Sequence, residues 1–344
     1  MASFSELGGS ARRQLIDTQQ TFDALRHAQR ELRQQYCGSM RWAPRNGKAY
    51  LLRKLGRVEK SLGARNADTE RIFETFHEGR RAMADRVTGL RRQLEVYAPI
   101  NVAMGLGRVP SLTARLLRRL DEGALLDHVT VLGTNALFAY EVRAGGHVMW
   151  DSGKLDGDLD GRRRLRLRVE NDKGADVLGV IGKVDQSFNV RAKGAHRANN
   201  RDGYVVDLIH SGDGSRPDGA RGRRHSVDRR PADLTGDLDW LWSAPRFTAI
   251  SIDEKGFPVA IETIDPRAFA LLRLWQSDRP DRDPLKRERD RRQAALVAGL
   301  AVRHLGLSFD APEISLSTPF GAPSVLPWDE AISAGSAKPH YSWS

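Results

Sequence analysis

The reading of this chain turns on His128-Val129-Thr130-Val131-Leu132-Gly133-Thr134-Asn135 and, after a polar stretch, Asp158-Leu159-Asp160. The run His128–Leu132 reads as a strand. Gly133-Thr134 closes it, and a helix is expected from Asn135 to about Val142. A glycine at a strand end lets the backbone come close to a ligand, because no Cβ stands in the way. A helix that starts there aims unpaired N–H groups at an anion. Asp158 and Asp160, at i and i+2 on an expected strand near 155–160, point to one face while Leu159 points to the other. A third carboxylate, Asp207, lies inside the apolar run Tyr204–Ile209. Glycine turn, acidic pair and distant strand aspartate, in that order, suit a two-metal phosphoryl-transfer site. Taken singly, each motif is short. An Asp-x-Asp pair can equally cap a turn or face solvent, and a Gly-Thr can equally be an ordinary strand end.

A resemblance carries this further. The segment Gly133 to Glu141 (GTNALFAYE), then Asp158-Leu159-Asp160, Leu178 to Phe188 (LGVIGKVDQSF) and Val206-Asp207-Leu208-Ile209 resemble bacterial nucleotidyltransferase-fold proteins of the DNA polymerase β superfamily, similar to the AbiEii-type toxin nucleotidyltransferases. The likeness extends to Ala244-Pro245-Arg246-Phe247 and to Asp281–Asp290, and reaches back to Gly38-Ser39-Met40 and Lys60–Gly63. It spans roughly residues 10 to 305. The resemblance implies an α+β fold: a polymerase-β-like core of mixed sheet and helices, a helical N-terminal region with a basic β-hairpin, and a helical C-terminal region. It implies that Asp158, Asp160 and Asp207 are catalytic and hold Mg2+ or Mn2+, with Asp207 also a candidate base. It implies that Gly133, Thr134 and Asn135 cradle the phosphates of an NTP, and that Arg282, Lys286 and Arg289 lie near the nucleotide. The family's second motif residue is usually Ser and here is Thr134, which keeps the hydroxyl. Asp156 lies close enough to the pair to compete with Asp158 and Asp160 for their roles.

Composition sets limits around that core. The 344 residues carry a net charge of +11, and the isoelectric point is about 10.1. Such a surface favours polyanionic partners over a cationic substrate. An arginine-rich composition of the kind found in GC-rich genomes would give the same balance. No apolar run is long enough to span a bilayer, and the first ten residues lack the apolar segment of a signal peptide. Cys37 is the single cysteine, which excludes an internal disulfide and suits a cytoplasmic protein. The nine histidines show no zinc-type spacing.

Along the chain, a first long helix is expected from Ala11 to Tyr36, with Leu15, Phe22, Leu25, Leu32 and Tyr36 on one stripe and Ser10 as N-cap. Residues 40–65 are rich in cations, and Asn46-Gly47 predicts a hairpin between Met40–Arg45 and Ala49–Leu52. Arg53, Lys54, Arg57 and Lys60, with Trp42 nearby, are the candidate nucleic-acid contacts. The alternative is a solvated hairpin whose aromatics pack on neighbouring helices. A second long helix from Ala67 to Tyr97 should bury Ile72, Phe76, Met83, Val87, Leu90 and Leu94, be capped by Asn66 or Asp68, and end before Pro99. Short helices follow at 111–122 and 173–184. Arg162–Val169 should be a strand with a basic face. Further strands are expected at 188–191, 203–209, 247–252 and 259–264, and helices at 266–275 and 283–305. Residues 211–236, rich in Gly, Arg, Asp and Pro, are expected to be a mobile surface loop, and the proline-rich segment after Ser308, with little periodicity, an extended strap or a partly disordered tail.

Three regions are thereby expected: a helical region with the hairpin at 1–110, a nucleotidyltransferase core at 111–265, and C-terminal helices and tail at 266–344. The leading expectation is a cytoplasmic enzyme moving NMP from an NTP to a hydroxyl of an RNA 3′ end or a protein, in a toxin–antitoxin or defence setting with a cognate protein partner and no membrane. The rival is an inactive nucleotide- or RNA-binding module on the same fold.

Overall fold

The structure is a computed structural model and describes residues 3–149, 163–170, 173–189, 196–210, 239–311 and 314. The chain divides into two compact units. One comprises Met1–Arg12, Gly107–Glu254 and Val259–Ser344; the other comprises Arg13–Leu106 and Lys255–Pro258.

The first unit is built on a six-stranded mixed sheet in the order β10-β11-β5-β7-β9-β8. Its strands are β5 (Val129–Leu132), β7 (Arg164–Val169), β8 (Arg197–Asn199), β9 (Val205–His210), β10 (Arg246–Ile252) and β11 (Pro258–Ile264). Every residue of β5 and β11 is buried, including Thr130 of β5 and Glu262 and Thr263 of β11. β5 runs parallel to β11 and antiparallel to β7; β7 and β9 are parallel, and β8 is antiparallel to β9. The register places Leu132 opposite Arg166, and Arg166 opposite Asp207. Around the sheet lie α3 (Ser111–Glu122), α4 (Leu137–Arg143), α5 (Gly174–Val184), α6 (Asp239–Ser243), α7 (Pro266–Asp278) and α8 (Pro284–Arg303). α3 packs on α5, and α7 pairs with α8. Asp265 and Asp283 cap α7 and α8 by accepting backbone N–H bonds, and a proline follows each. A two-stranded ribbon, β1 (Ser3–Glu6) with β6 (Gly146–Met149), completes the unit.

α4 is fixed by two buried side chains of its own. The Tyr140 hydroxyl donates to the Ile264 carbonyl at 2.9 Å, and its ring meets Phe247 and Phe269 edge-on. The Glu141 carboxylate accepts from Arg108 Nε at 3.0 Å and from the Val148 amide at 2.8 Å. Burial pushes the Glu141 carboxyl up from its ordinary range, and Arg108 opposes that shift.

The second unit holds α1 (Gly9–Gln34, whose first turn belongs to the first unit), α2 (Ala67–Ala103) and a meander of β2 (Ser39–Arg45), β3 (Lys48–Leu55) and β4 (Val58–Ala64). Asn46 and Gly47 have φ of 52° and 74°, the left-handed pair that a two-residue hairpin turn demands. Met40, Leu51 and Phe76 form a small core, with Tyr36, Trp42, Leu62 and Phe73 packed around it. Asn101 ties the unit together. Its Oδ1 accepts from Gln14 Nε2 at 3.0 Å and from Thr18 Oγ1 at 3.2 Å, and its Nδ2 donates to the Gly256 carbonyl at 2.8 Å.

Several expectations are corrected. α1 begins at Gly9, so Ser10 lies inside the first turn rather than capping it. α2 does not stop before Pro99 but runs through it to Ala103, because Ala98 and Asn101 are buried and hold the last turns in place. Asn66 caps α2 in a reciprocal box with Thr69. Ile72 is exposed, and Phe73 takes the inward place. The basic hairpin gains a third strand, β4. No strand forms at Phe188–Asn189; the neighbouring short strand is Arg197–Asn199. The helix expected from Asn135 starts as a single tight 3-10 turn, Gly133–Ala136, followed by α4.

Candidate active site

The site is the end of β5. Gly133 has φ +75°, a conformation that L side chains rarely adopt. The space a Cβ would enter is lined by Arg166 Cδ at 3.6 Å and Arg273 Nη2 at 3.8 Å. Gly133 and Thr134 are half-buried, while Asn135 is buried and donates from Nδ2 to the Arg164 carbonyl at 2.7 Å. The turn is thus bonded to the first residue of β7.

β7 supplies the basic face. Arg164, Arg166 and Arg168 alternate with the buried Leu165, Leu167 and Val169. Arg166 stands opposite Asp207 in the β7–β9 pair, and Arg197 stands opposite Asp207 in the β8–β9 pair. Asp207, wholly buried, meets three guanidiniums. Arg197 Nε donates to Oδ1 at 2.6 Å, Arg164 Nε pairs with Oδ2 at 3.0 Å, and Arg166 Nε lies 3.8 Å from Oδ2.

Near the same Cβ position of Gly133, α7 contributes Arg273, and α8 contributes its partner Asp290. Arg273 Nη1 donates to Asp290 Oδ1 at 2.9 Å and to Gln276 Oε1 at 3.1 Å. Arg282 Nε donates to the second oxygen of Asp290, and Arg289 Nη2 lies 3.8 Å from the first. Burial pushes the Arg273 guanidinium down to about 10. Asp290 opposes that shift, while Arg289, Arg166 and Arg282 add to it. Arg273 therefore feels the cations of both clusters as one field. Among the described residues six guanidiniums meet two carboxylates, Asp207 and Asp290. Guanidinium groups match phosphate oxygens in pairs.

Of the residues expected from sequence, Gly133, Thr134, Asn135, Asp207, Arg282 and Arg289 come together in this one unit. Lys286 sits half-buried in the first turn of α8. Asp158 and Asp160, and Asp156 beside them, lie outside the described residues. No three His, Cys, Asp or Glu side chains gather as a metal cluster among the described residues. Both oxygens of Asp207 face guanidiniums, so the described residues alone do not fit a divalent cation. Sequence alone does not single out Arg164, Arg166, Arg197, Arg273 or Asp290 for the site. The alternation of Arg164, Arg166 and Arg168 is the signal for the first two.

The expected nucleic-acid residues lie in the second unit and are not equivalent. Arg53 Nη2 donates to the Gln35 carbonyl at 3.1 Å, and its guanidinium lies 5.5 Å over the Phe76 ring. Trp42 is half-buried against Phe73 at 5.7 Å, with Arg65 5.3 Å over its ring. Lys54, Arg57 and Lys60 are exposed.

A family model described as Nucleotidyltransferase matches residues 111–315, more than half of the chain. The chain belongs to this nucleotidyltransferase family. No curated protein and no solved structure matches it. The family match covers β5, the Gly133 turn, β7, β8, β9, α7 and α8, every element that contributes to the arginine-lined site. No described helix is long and apolar enough to cross a membrane.

The Gly133 turn gives a first expected result. A methyl group at Gly133 has room, with no atom closer than 3.6 Å, but its φ of +75° is strained for alanine. Gly133→Ala should cost about 1–2 kcal/mol in a denaturant melt and weaken triphosphate binding in a titration. Thr134→Ala should leave the melt nearly unchanged and weaken binding less. Unaltered nucleotide affinity in both variants would place the triphosphate elsewhere.

Proposed function

We propose that this nucleotidyltransferase is of the polymerase β type and binds the triphosphate of an NTP at the Gly133 turn, against Arg166, Arg273, Arg282 and Arg289. The observation that carries this reading is a positive-φ glycine at a strand end whose Cβ space is lined by the buried Arg166 and Arg273. In the proposed reaction an acceptor hydroxyl oxygen bonds to the α-phosphorus. The bridge to the β-phosphate breaks, and pyrophosphate leaves with that electron pair. The chain's part is positioning and charge stabilisation. Arg166 bridges the two halves of the site, and Asn135 fixes the turn to β7. Asp207 orients Arg164, Arg166 and Arg197; for it to act as a metal ligand or take the acceptor's proton, these arginines must turn to the phosphates.

Nucleotidyltransferases generally use a divalent metal, which neutralises phosphate charge. Asp158 and Asp160, with Asp207, are the proposed holders of Mg2+ or Mn2+. An RNA 3′ end or a protein hydroxyl as acceptor, a cognate protein partner, a cytoplasmic setting and a toxin or defence role rest on the resemblance and the basic charge.

The arginine-bound state of Asp207 favours a second reading, a nucleotide-binding module without transfer. One experiment separates them. The protein is incubated with each α-labelled NTP, a divalent ion, total RNA and a protein extract. Transfer predicts label in a macromolecular fraction with release of an equal amount of pyrophosphate. Nucleotide retained without pyrophosphate release would leave the binding module.

A further inference from the structure

The meander of the second unit has two unlike faces. Met40, Trp42 and Leu51 face the small core with Phe76 and Phe73. Side chains alternate along each strand, so the opposite face presents Arg41, Ala43 and Arg45 of β2, Lys48, Tyr50, Leu52 and Lys54 of β3, and Glu59 and Ser61 of β4. Arg45 stands opposite Lys48, Ala43 opposite Tyr50, and Arg41 opposite Leu52. Tyr50 and Leu52, both half-buried, therefore occupy the middle of the face. Arg41, Arg45, Lys48 and Lys54 surround them and are exposed. The one acid on this face, Glu59, is taken by Arg41 at 3.0 Å.

We propose that this face binds single-stranded RNA, with Tyr50 as the stacking platform and Arg41, Arg45, Lys48 and Lys54 on the phosphates. The charge complements a polyanion. The central aromatic selects a strand whose bases are free to stack, because duplex bases are already stacked on each other. This inference does not depend on nucleotidyl transfer, since binding alone is measured. It also reassigns the basic residues of the segment. Arg53, on the covered face and bonded to Gln35, holds the unit together and is not an RNA contact.

The test uses the full chain and a fluorescent twelve-nucleotide oligouridine, with a twelve-base-pair DNA duplex as comparison, over a salt series. Expected is tighter binding of the single strand than of the duplex. Tyr50→Ala should weaken the single strand roughly 5- to 150-fold, and Tyr50→Phe should restore most of it. Changing Arg41, Arg45, Lys48 and Lys54 to Gln should flatten the log–log salt slope by about 0.7 for each phosphate no longer neutralised. If the fourfold variant does not fold, the Tyr50 pair decides alone, because Tyr50→Phe keeps the ring. Equal binding by Tyr50→Ala and the wild type, or equal binding of strand and duplex, would overturn the proposal.

Discussion

Asp158→Asn is expected to remove divalent-dependent transfer of label from an NTP, by about a thousandfold or more. The loss follows from several kcal/mol of charge stabilisation, at about 1.4 kcal/mol per decade of rate. The substitution removes a charge with little change of shape, so thermal unfolding should stay close to that of the wild type. A second readout makes the result specific: equilibrium binding of Mn2+ to the nucleotide-saturated protein should fall in Asp158→Asn and much less in Asp156→Asn. Equal losses in the two variants would mean that the carboxylates are misassigned. Full transfer activity in Asp158→Asn would remove the acidic pair from the chemistry.

Arg166→Met should weaken triphosphate binding about 10- to 100-fold, the loss expected when charge-assisted bonds worth about 1.5–3 kcal/mol disappear. Asp207 keeps Arg164 and Arg197 as partners, so the carboxylate is not stranded. Arg273→Met differs. Asp290 keeps Arg282 and Arg289, but a wholly buried ion pair is broken, and a stability loss of up to about 3–5 kcal/mol should accompany the loss of binding. Titration of both variants with nucleoside triphosphate and with nucleoside, beside a denaturant melt, checks this. Arg166→Met binding triphosphate as well as the wild type would take the arginine cluster out of nucleotide recognition.

Much of the fold was legible because its signals are local. β5 and β11 are mostly apolar and β-branched. Asp265-Pro266 and Asp283-Pro284 announce helix starts, and Asn46-Gly47 announces a left-handed turn. Period-2 alternation gave the basic face of β7. The site's ion pairs were not legible, because they depend on register between strands far apart in sequence. Nothing local to Asp207 says that Arg166 and Arg197 will stand opposite it. Arg273 sits in the apolar helix stretch Phe269–Trp275, and Asp290 sits in a charged run that looks solvated, yet both are buried. The same limit hid the two faces of the meander. Density of Arg and Lys alone cannot tell Arg53, turned to Phe76, from its neighbour Lys54 on the opposite face. Pro99 misled because proline is a local stop signal, whereas the burial of Ala98 and Asn101 that carries α2 through it is tertiary.

The most direct test is a crystal structure with a non-hydrolysable NTP and Mn2+. The predicted result is triphosphate density beside the Gly133 turn within hydrogen-bonding distance of Arg166 and Arg273, with manganese between the phosphates and Asp158, Asp160 and Asp207. Triphosphate bound away from Gly133, with Arg164, Arg166 and Arg197 still closed on Asp207, would contradict it.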